Sequence, residues 1–246
     1  MTALRESDIR PAVLLDEYLR LAVQDAKIFF GDGKMFEDRA CPGCGDQAST
    51  PRFTKAGFTY VRCDHCATLF ANPCPGGGAL DIFYRDSAST AYWADVFFPA
   101  VAEARRESIF KPRVAQIADL VNEFAAAIGH ICDIGAGTGL FLEEAARRFP
   151  GVALSGIEPG VTLAGECRDK GFRIYEGFSD QACVDPDWAG TADLVTSFEV
   201  IEHVPDTVAF VASLAGLAKP GGLVLFTGLC GDGFDIKILG ERSKAV

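Results

Sequence analysis

Apolar and polar positions recur with two different periods along this chain, and the change of period divides it. Between residues 11 and 30, Leu14, Tyr18, Leu21, Ala22 and Phe29 fall at mostly three- and four-residue spacings. That spacing lines them along one stripe of an α-helix. Pro11 suits the first turn, where its missing N–H has no partner to lose. Gly31-Asp32-Gly33 ends the pattern. A stretch rich in Cys, Pro and Gly follows, with short β-like pieces such as Phe58-Thr59-Tyr60-Val61. The run Pro73-Cys74-Pro75-Gly76-Gly77-Gly78 reads as a linker. Residues 81–125 are aromatic-rich and predict helix. Beyond them, short apolar runs alternate with helical spacing. Strands are expected at about 130–134, 152–157, 172–175, 192–197 and 222–227, and helices at about 139–149, 160–170 and 204–217. Such alternation implies a parallel sheet with right-handed crossovers, an α/β doubly wound fold. The expected division is an N-terminal helix (1–35), a small Cys-rich module (36–80), a helical linker or lid (81–125) and a ligand-binding α/β domain (126–246).

The pattern ends abruptly. Leu223–Thr227 is the last apolar strand, and a bare strand at a sheet edge is a template for unwanted pairing. The remaining GLCGDGFDIKILGERSKAV reads as too short for a further helix and a closing hairpin. C-terminal truncation is the favoured reading; the alternative is an edge covered by residues 1–30.

Composition narrows the partners. The 246 residues carry 34 acids against 23 bases, a net charge of −11. A nucleic-acid backbone is therefore an unfavoured partner, since its phosphates need a cationic surface. No apolar run reaches the roughly 18 residues of a membrane span. The N-terminus, MTALRESDIRPAVLLDEYLRL, lacks the basic-then-apolar pattern of a secretory signal, so a cytoplasmic protein is expected. In that compartment the nine cysteines predict metal ligands or free thiols rather than disulfides.

The segment ICDIGAGTGLFLEEA carries the first chemical signal. Gly135, Gly137 and Gly139 directly follow a predicted strand and lead into a predicted helix. Glycine lets a ligand approach the backbone, and the helix start behind it presents free N–H groups. Dinucleotide loops read G-x-G-x-x-G, whereas Leu140 stands here where the third glycine would be. Asp133 lies two residues before the first glycine, an awkward neighbour for a pyrophosphate and a favourable one for a cation. S-adenosylmethionine carries both a sulfonium and an ammonium. Glu158 ends the second strand, where an acid can take two ribose hydroxyls of either cofactor.

With these residues in place, the chain resembles the Rossmann-like, class I S-adenosylmethionine-dependent methyltransferases. The resemblance covers about residues 110–230 and rests on DIGAGTG (133–139), IEP (157–159), FEVIEHVPD (198–206) and KPGGLVLF (219–226). It implies that Asp133, Gly135, Ala136, Gly137 and Gly139 hold the methionine end of the cofactor, and that Glu158, followed by Pro159, holds the ribose. Gly177 and Phe178 should lie near the adenine, and Phe198 and Glu199 should border the cofactor.

Cys41-Pro-Gly-Cys44 and Cys63-Asp-His-Cys66 are two C-x-x-C knuckles separated by eighteen residues. That spacing predicts a zinc site, with a redox pair as the rival. Four sulfurs close a tetrahedral shell, so the ion would be structural. Cys74 reads as a bystander, His65 as pointing elsewhere, and Cys132, Cys167, Cys183 and Cys230 as core or near-core fillers. The module's Arg39, Arg52, Lys55 and Arg62 are balanced by Glu37, Asp38, Asp46 and Asp64, so it has no electrostatic footprint for nucleic acid. It reads as a scaffold or lid on the substrate side.

His203 is the candidate general base, because histidine titrates near working pH and the residue lies after the fourth strand. A histidine that merely hydrogen-bonds the helix start remains the alternative. Glu199 and Glu202 could form a negative wall. The order of zinc module, FYRDSASTAYW segment (83–93) and core is similar to that of the sugar C-methyltransferases of deoxysugar and polysaccharide pathways. That resemblance implies a small-molecule acceptor such as a sugar or sugar nucleotide, a role for His203 in the site, and a pocket shaped by Tyr84 or Tyr92. The family's main base, a Glu–His pair, lies beyond the end of this chain. If the chain is complete, O- or N-methylation becomes the better expectation. A zinc-containing nucleic-acid methyltransferase and a non-catalytic binding remnant stay open. The acceptor and the oligomeric state are not legible.

Overall fold

The computed structural model of the chain describes residues 5–33, 35–124 and 126–243; residues 1–4, 34, 125 and 244–246, which fall within the segments outlined above, lie outside the described residues. The chain opens with α1 (Glu6–Ile9) and α2 (Ala12–Phe30), the latter running to Gly31 as the apolar spacing predicts. Leu14, Tyr18, Leu21, Ala22 and Phe29 are all part-buried, and Leu15, Asp25, Ala26 and Phe30 on the same side are the most deeply covered. One contact on this side is polar. The Asp25 carboxylate, 2% exposed, accepts the Ser89 backbone N–H at 2.7 Å and ties α2 to the start of the next helical segment.

The Cys-rich module contains a two-stranded pairing and an antiparallel three-stranded sheet. Strands β1 (Phe36–Glu37) and β5 (Cys74–Pro75) pair together; β2 (Ser49–Lys55), β3 (Phe58–Cys63) and β4 (Leu69–Ala71) form the sheet. The expected linker at 73–78 is corrected here. Its first half is β5, and its glycines open α3 (Gly77–Asp86), because Pro75 follows a strand residue and Gly76 caps the helix in extended backbone.

Residues 88–123 form one long helical path: α4 (Ala88–Tyr92), α5 (Phe98–Arg105) and α6 (Lys111–Glu123), joined by π turns over Trp93–Phe97 and Arg106–Phe110. Val114, Ile117 and Val121 of α6 join the main core rather than standing apart as a linker.

The α/β unit follows in order: β6 (His130–Ile134), α7 (Leu140–Arg148), β7 (Ala153–Glu158), α8 (Val161–Asp169), β8 (Arg173–Glu176), α9 (Ser179–Ala182), β9 (Ala192–Phe198), α10 (Thr207–Leu217), β10 (Ala218–Thr227) and α11 (Phe234–Leu239). The five strands are parallel, in the order β10-β9-β6-β7-β8. Successive residues of a strand face opposite sides of a sheet. Ile131 and Leu194 accordingly enter the core beneath α6 and α7, while Cys132 and Val195 enter the core with Phe210, Leu214 and Leu217. Burial of each such aliphatic side chain contributes about 1.5–3 kcal/mol.

Three further expectations change. The helix expected from 204 begins at Thr207, because the Asp206 side chain accepts the Ala209 N–H and caps it there. The tail beyond β10 does contain a short helix, α11, and Arg62–Asp232 at 2.6 Å ties the segment leading into it to the Cys-rich module. Cys230 is exposed rather than a core filler, because it lies in the polar, glycine-rich segment before α11. Cys132 and Cys167 are buried, and none of the nine cysteines is in a disulfide. Among the described residues no helix is long and apolar enough to cross a membrane.

Candidate active site and cysteine cluster

The strand order reverses direction about β6, with β7 on one side and β9 on the other. At such a switch point the two crossovers leave on opposite faces, and a crevice opens at the carboxyl ends of the strands. The glycine loop sits at the head of β6. Gly135 has φ of 75°, and a Cβ there would lie 2.6 Å from Val200 Cγ2, so both conformation and space require glycine. Gly139, at φ of 77°, starts α7 and packs over the Cys167 sulfur.

Two buried carboxylates flank this loop. Glu158, 7% exposed at the end of β7, accepts the Gly137 N–H at 2.8 Å and the Gly160 N–H at 2.9 Å. It thus braces the loop and the turn after Pro159 together. Burial raises its pKa, and the two N–H donors oppose that shift. Asp133, 3% exposed, accepts the Thr196 hydroxyl at 2.7 Å. Burial pushes its pKa up to about 7, against the hydroxyl and the Arg113 charge. A buried acid held this high favours a cation that arrives beside it. Ala136 is buried within the loop. Gly177 donates its N–H to the Glu158 carbonyl at 3.2 Å, which brings the end of β8 and the part-exposed Phe178 to the same rim.

On the other side of β6, Phe198 ends β9 and Glu199 follows with φ of 57°, a conformation that costs a non-glycine residue about 1–3 kcal/mol. The Thr227 hydroxyl donates to Glu199 at 2.7 Å, and Arg113 stands 4.0 Å from the same carboxylate. The Arg113 guanidinium lies over the Phe198 ring, 4.1 Å from its centre.

His203 lies in a single 3-10 turn, Ile201–His203, four residues before α10, not in the helix's first turn. Its ring meets Tyr84 edge-on, with centroids 6.4 Å apart. More than a third of the residue is open, yet desolvation by the groups around it lowers its pKa against the pull of Glu199. Glu202, beside it, is raised by burial first and by Glu199 next. Tyr84 therefore adjoins this wall, while Tyr92 packs with Leu15, Phe97 and Val101.

Sequence reasoning missed Arg113, Thr196 and the clamp on the His203 loop. Thr196 was visible as a hydroxyl in an apolar strand; Arg113 was hidden because a helical phase across a π turn cannot be read from spacing. The clamp comes from the Cys-rich module. Arg39 donates to the Pro205 carbonyl at 2.6 Å, and Thr207 donates its hydroxyl to the Pro42 carbonyl at 2.6 Å.

Cys41, Cys44, Cys63 and Cys66 bring their sulfurs within 4.8 Å of one another, with Cys41–Cys66 at 3.5 Å and Cys44–Cys63 at 3.6 Å. A tetrahedral shell with Zn–S near 2.3 Å sets its sulfurs about 3.8 Å apart, so the donor set fits zinc. Gly43 and Cys66 donate their N–H groups to the sulfurs of Cys41 and Cys63. The Thr68 hydroxyl draws Cys66 down to about 6, while Cys44, despite a backbone bond from Asp46, is pushed up to about 12 by the neighbouring sulfur of Cys66. A divalent cation relieves that mutual repulsion. His65 is exposed, and Cys74 bonds the Pro75 carbonyl instead of joining the cluster.

Comparison with known proteins accords with this geometry. A Methylococcus capsulatus protein named ubiquinone biosynthesis O-methyltransferase is 38% identical over 102 residues, covering 39% of this chain and 42% of that protein. The Paramagnetospirillum magneticum protein of the same name is 30% identical over 169 residues, covering 59% of this chain and 66% of its own. The chain thus spans about half the length of the curated relatives it matches. Among solved structures, the plantazolicin methyltransferase BpumL in complex with SAH superposes with a TM-score of 0.52 at 12% identity, covering 67% of this chain and 64% of that one, a likeness of fold. The profile described as "Methyltransferase domain" matches residues 76–241, and on that match the chain belongs to the methyltransferase domain family.

Proposed function

We propose that the chain transfers a methyl group from S-adenosylmethionine to a small-molecule acceptor, and that its four-cysteine cluster holds a structural zinc ion. The observation that carries the reading is the pair of buried carboxylates on either side of the glycine loop, Asp133 beneath it and Glu158 beside it. A pyrophosphate set against Asp133 meets a like charge, whereas a methionine ammonium meets its counter-ion. Glu158 is placed to take ribose hydroxyls, Gly177 and Phe178 to border the adenine, and Phe198 and Glu199 to close the cofactor's far side.

When bound, the cofactor supplies an electrophilic methyl on a sulfonium. The protein's part is to orient the acceptor and manage its proton. His203 serves as the base: its lowered pKa keeps an imidazole nitrogen free to accept a hydroxyl proton at neutral pH. Glu199 then stabilises the imidazolium. The Cys-rich module holds this loop through Arg39 and Thr207.

Two observations bear on the acceptor. The order of cysteine module, aromatic helix and core favours a sugar. The names of the curated relatives favour an oxygen nucleophile. A sugar hydroxyl satisfies both. The reading is tested by titrating the zinc-loaded chain calorimetrically with S-adenosylhomocysteine, with NAD alongside. Binding of S-adenosylhomocysteine alone is expected; binding of NAD alone overturns the cofactor assignment.

A further inference from the structure

The arginines of the long helical path divide into two kinds. Arg106 is paired with Glu103, Glu143 and Glu144 on the face toward α7. Its neighbour Arg105 makes no hydrogen bond or ion pair to any described residue. Its Nε is sealed from solvent without a partner, while its terminal nitrogens are not sealed. The guanidinium is held between two rings, 5.0 Å from the centre of Phe98 and 6.0 Å from that of Phe110.

The π turn at Arg106–Phe110 explains where Arg105 faces. It inserts one residue, so the eight-residue step from Arg105 to Arg113 acts as seven, close to two whole turns. Both arginines therefore lie on one face, and Arg113 fixes that face by lying over Phe198 at the mouth of the crevice. A third arginine joins them. α2 runs antiparallel to this path, with Tyr18 against Trp93 and Leu15 against Phe97 and Val101, which brings Arg10 to the level of Arg105. The acids near the group are Glu199 and Asp133 beside Arg113 and Asp235 near Arg10. None is paired with Arg105.

We propose that Arg105, flanked by Arg10 and Arg113, forms the wall that receives an anionic group, a phosphate or carboxylate, on the methyl acceptor. A guanidinium partly withdrawn from water without a counter-ion is costly, and a planar oxyanion that reaches its open terminal nitrogens relieves it through two parallel hydrogen bonds. The chain's net charge of −11 makes the cluster a local exception. Desolvation and the charges of Arg10 and Arg113 draw Arg105 down to about 10, so it stays cationic at neutral pH. The word acceptor rests on the methyl-transfer reading above.

The test is calorimetry on the full, zinc-loaded chain saturated with S-adenosylhomocysteine, using inorganic pyrophosphate and benzoate as separate probes. One of them is expected to bind saturably, pyrophosphate for a phosphate-bearing acceptor or benzoate for a carboxylate. Arg105→Gln should weaken that binding about tenfold or more, Arg105→Lys should restore part of it, and S-adenosylhomocysteine affinity should stay within about twofold. Arg10→Gln, at the margin of the wall, gives a second, smaller loss if the larger change perturbs folding. Binding of neither probe, or equal binding by wild type, Arg105→Gln and Arg10→Gln, overturns the proposal. Lost S-adenosylhomocysteine affinity in Arg105→Gln moves the arginine to the cofactor and overturns it equally. Failure of wild type to bind S-adenosylhomocysteine sinks the methyl-transfer reading instead, with the anion titrations of the unliganded chain still reporting on the wall.

Discussion

Asp133 predicts a measurable coupling between cofactor binding and protons. In the free protein its pKa is raised from the ordinary 3.8 to about 7, chiefly by burial. Its contribution to folding is therefore fully present below about pH 4 and is lost as pH rises through 7, because ionisation of the buried group is disfavoured. A bound ammonium reverses this by supplying a counter-charge and returning the acid toward its ordinary range. Binding must then release the proton that the free site held. With a pKa near 7 that is about 0.9 proton at pH 6, 0.5 at pH 7 and 0.1 at pH 8. Affinity for S-adenosylhomocysteine should rise almost tenfold from pH 5 to 6, about 1.4 kcal/mol, and flatten above pH 7. The assay is calorimetry at each pH in two buffers of different ionisation enthalpy, whose difference gives the protons released. Asp133→Asn should bind about 1.5–3 kcal/mol more weakly at pH 8, the scale of a hydrogen bond to a charged group. It should lack the pH slope, so the gap to wild type narrows at pH 6. Buffer-independent heats in wild type at pH 6 would refute the reasoning, since no proton would then leave on binding; an equal slope in Asp133→Asn would refute it too, since Glu158 or His203 would then be the titrating group.

Glu158→Ala should weaken S-adenosylhomocysteine binding by roughly 1–3 kcal/mol and also lower the melting temperature without ligand, because Gly137 and Gly160 both lose an acceptor; unchanged values in both measurements would remove Glu158 from the site. Elemental analysis should find about one zinc per chain, as a four-thiolate shell requires, with the metal lost in Cys63→Ser; a metal-free wild type of undiminished stability would exclude the ion. Arg39→Ala should leave S-adenosylhomocysteine affinity unchanged yet accelerate amide exchange over residues 200–207, where Pro205 loses its clamp; equal exchange would show that the loop holds itself.

Much of the fold was legible because its signals are local. The strands around Ile131, Ile157 and Val195 are short apolar runs, the first two bounded by glycine, and the helices between them carry a regular stripe. Where reading failed, a tertiary contact decided. That α2 buries an acid, Asp25, on its apolar side follows from a partner, Ser89, 64 residues away. The glycines after Pro75 suggested a loose linker, yet Gly76 caps a helix once Cys74 and Pro75 have paired with residues 36–37.

The site divides along the same line. Asp133, Glu158 and the glycine loop were legible because their positions follow from strand ends, and a parallel sheet sends all its strand ends to one edge. The cysteine knuckles were legible because a metal shell needs each pair at a fixed short spacing. The arginine face was not. Arg105 and Arg113 are eight residues apart, which on a regular helix places them about 80° apart rather than aligned. Only the five-residue turn between them restores the phase, and nothing in Arg106–Phe110 marks it as a π turn before the helix is seen packed against α7. Within that turn Arg106 meets Glu143 and Glu144, and beyond it α6 enters the core through Val114. The same turn that lets Arg106 meet its carboxylates leaves Arg105 against the Phe98 and Phe110 rings, with no carboxylate partner among the described residues.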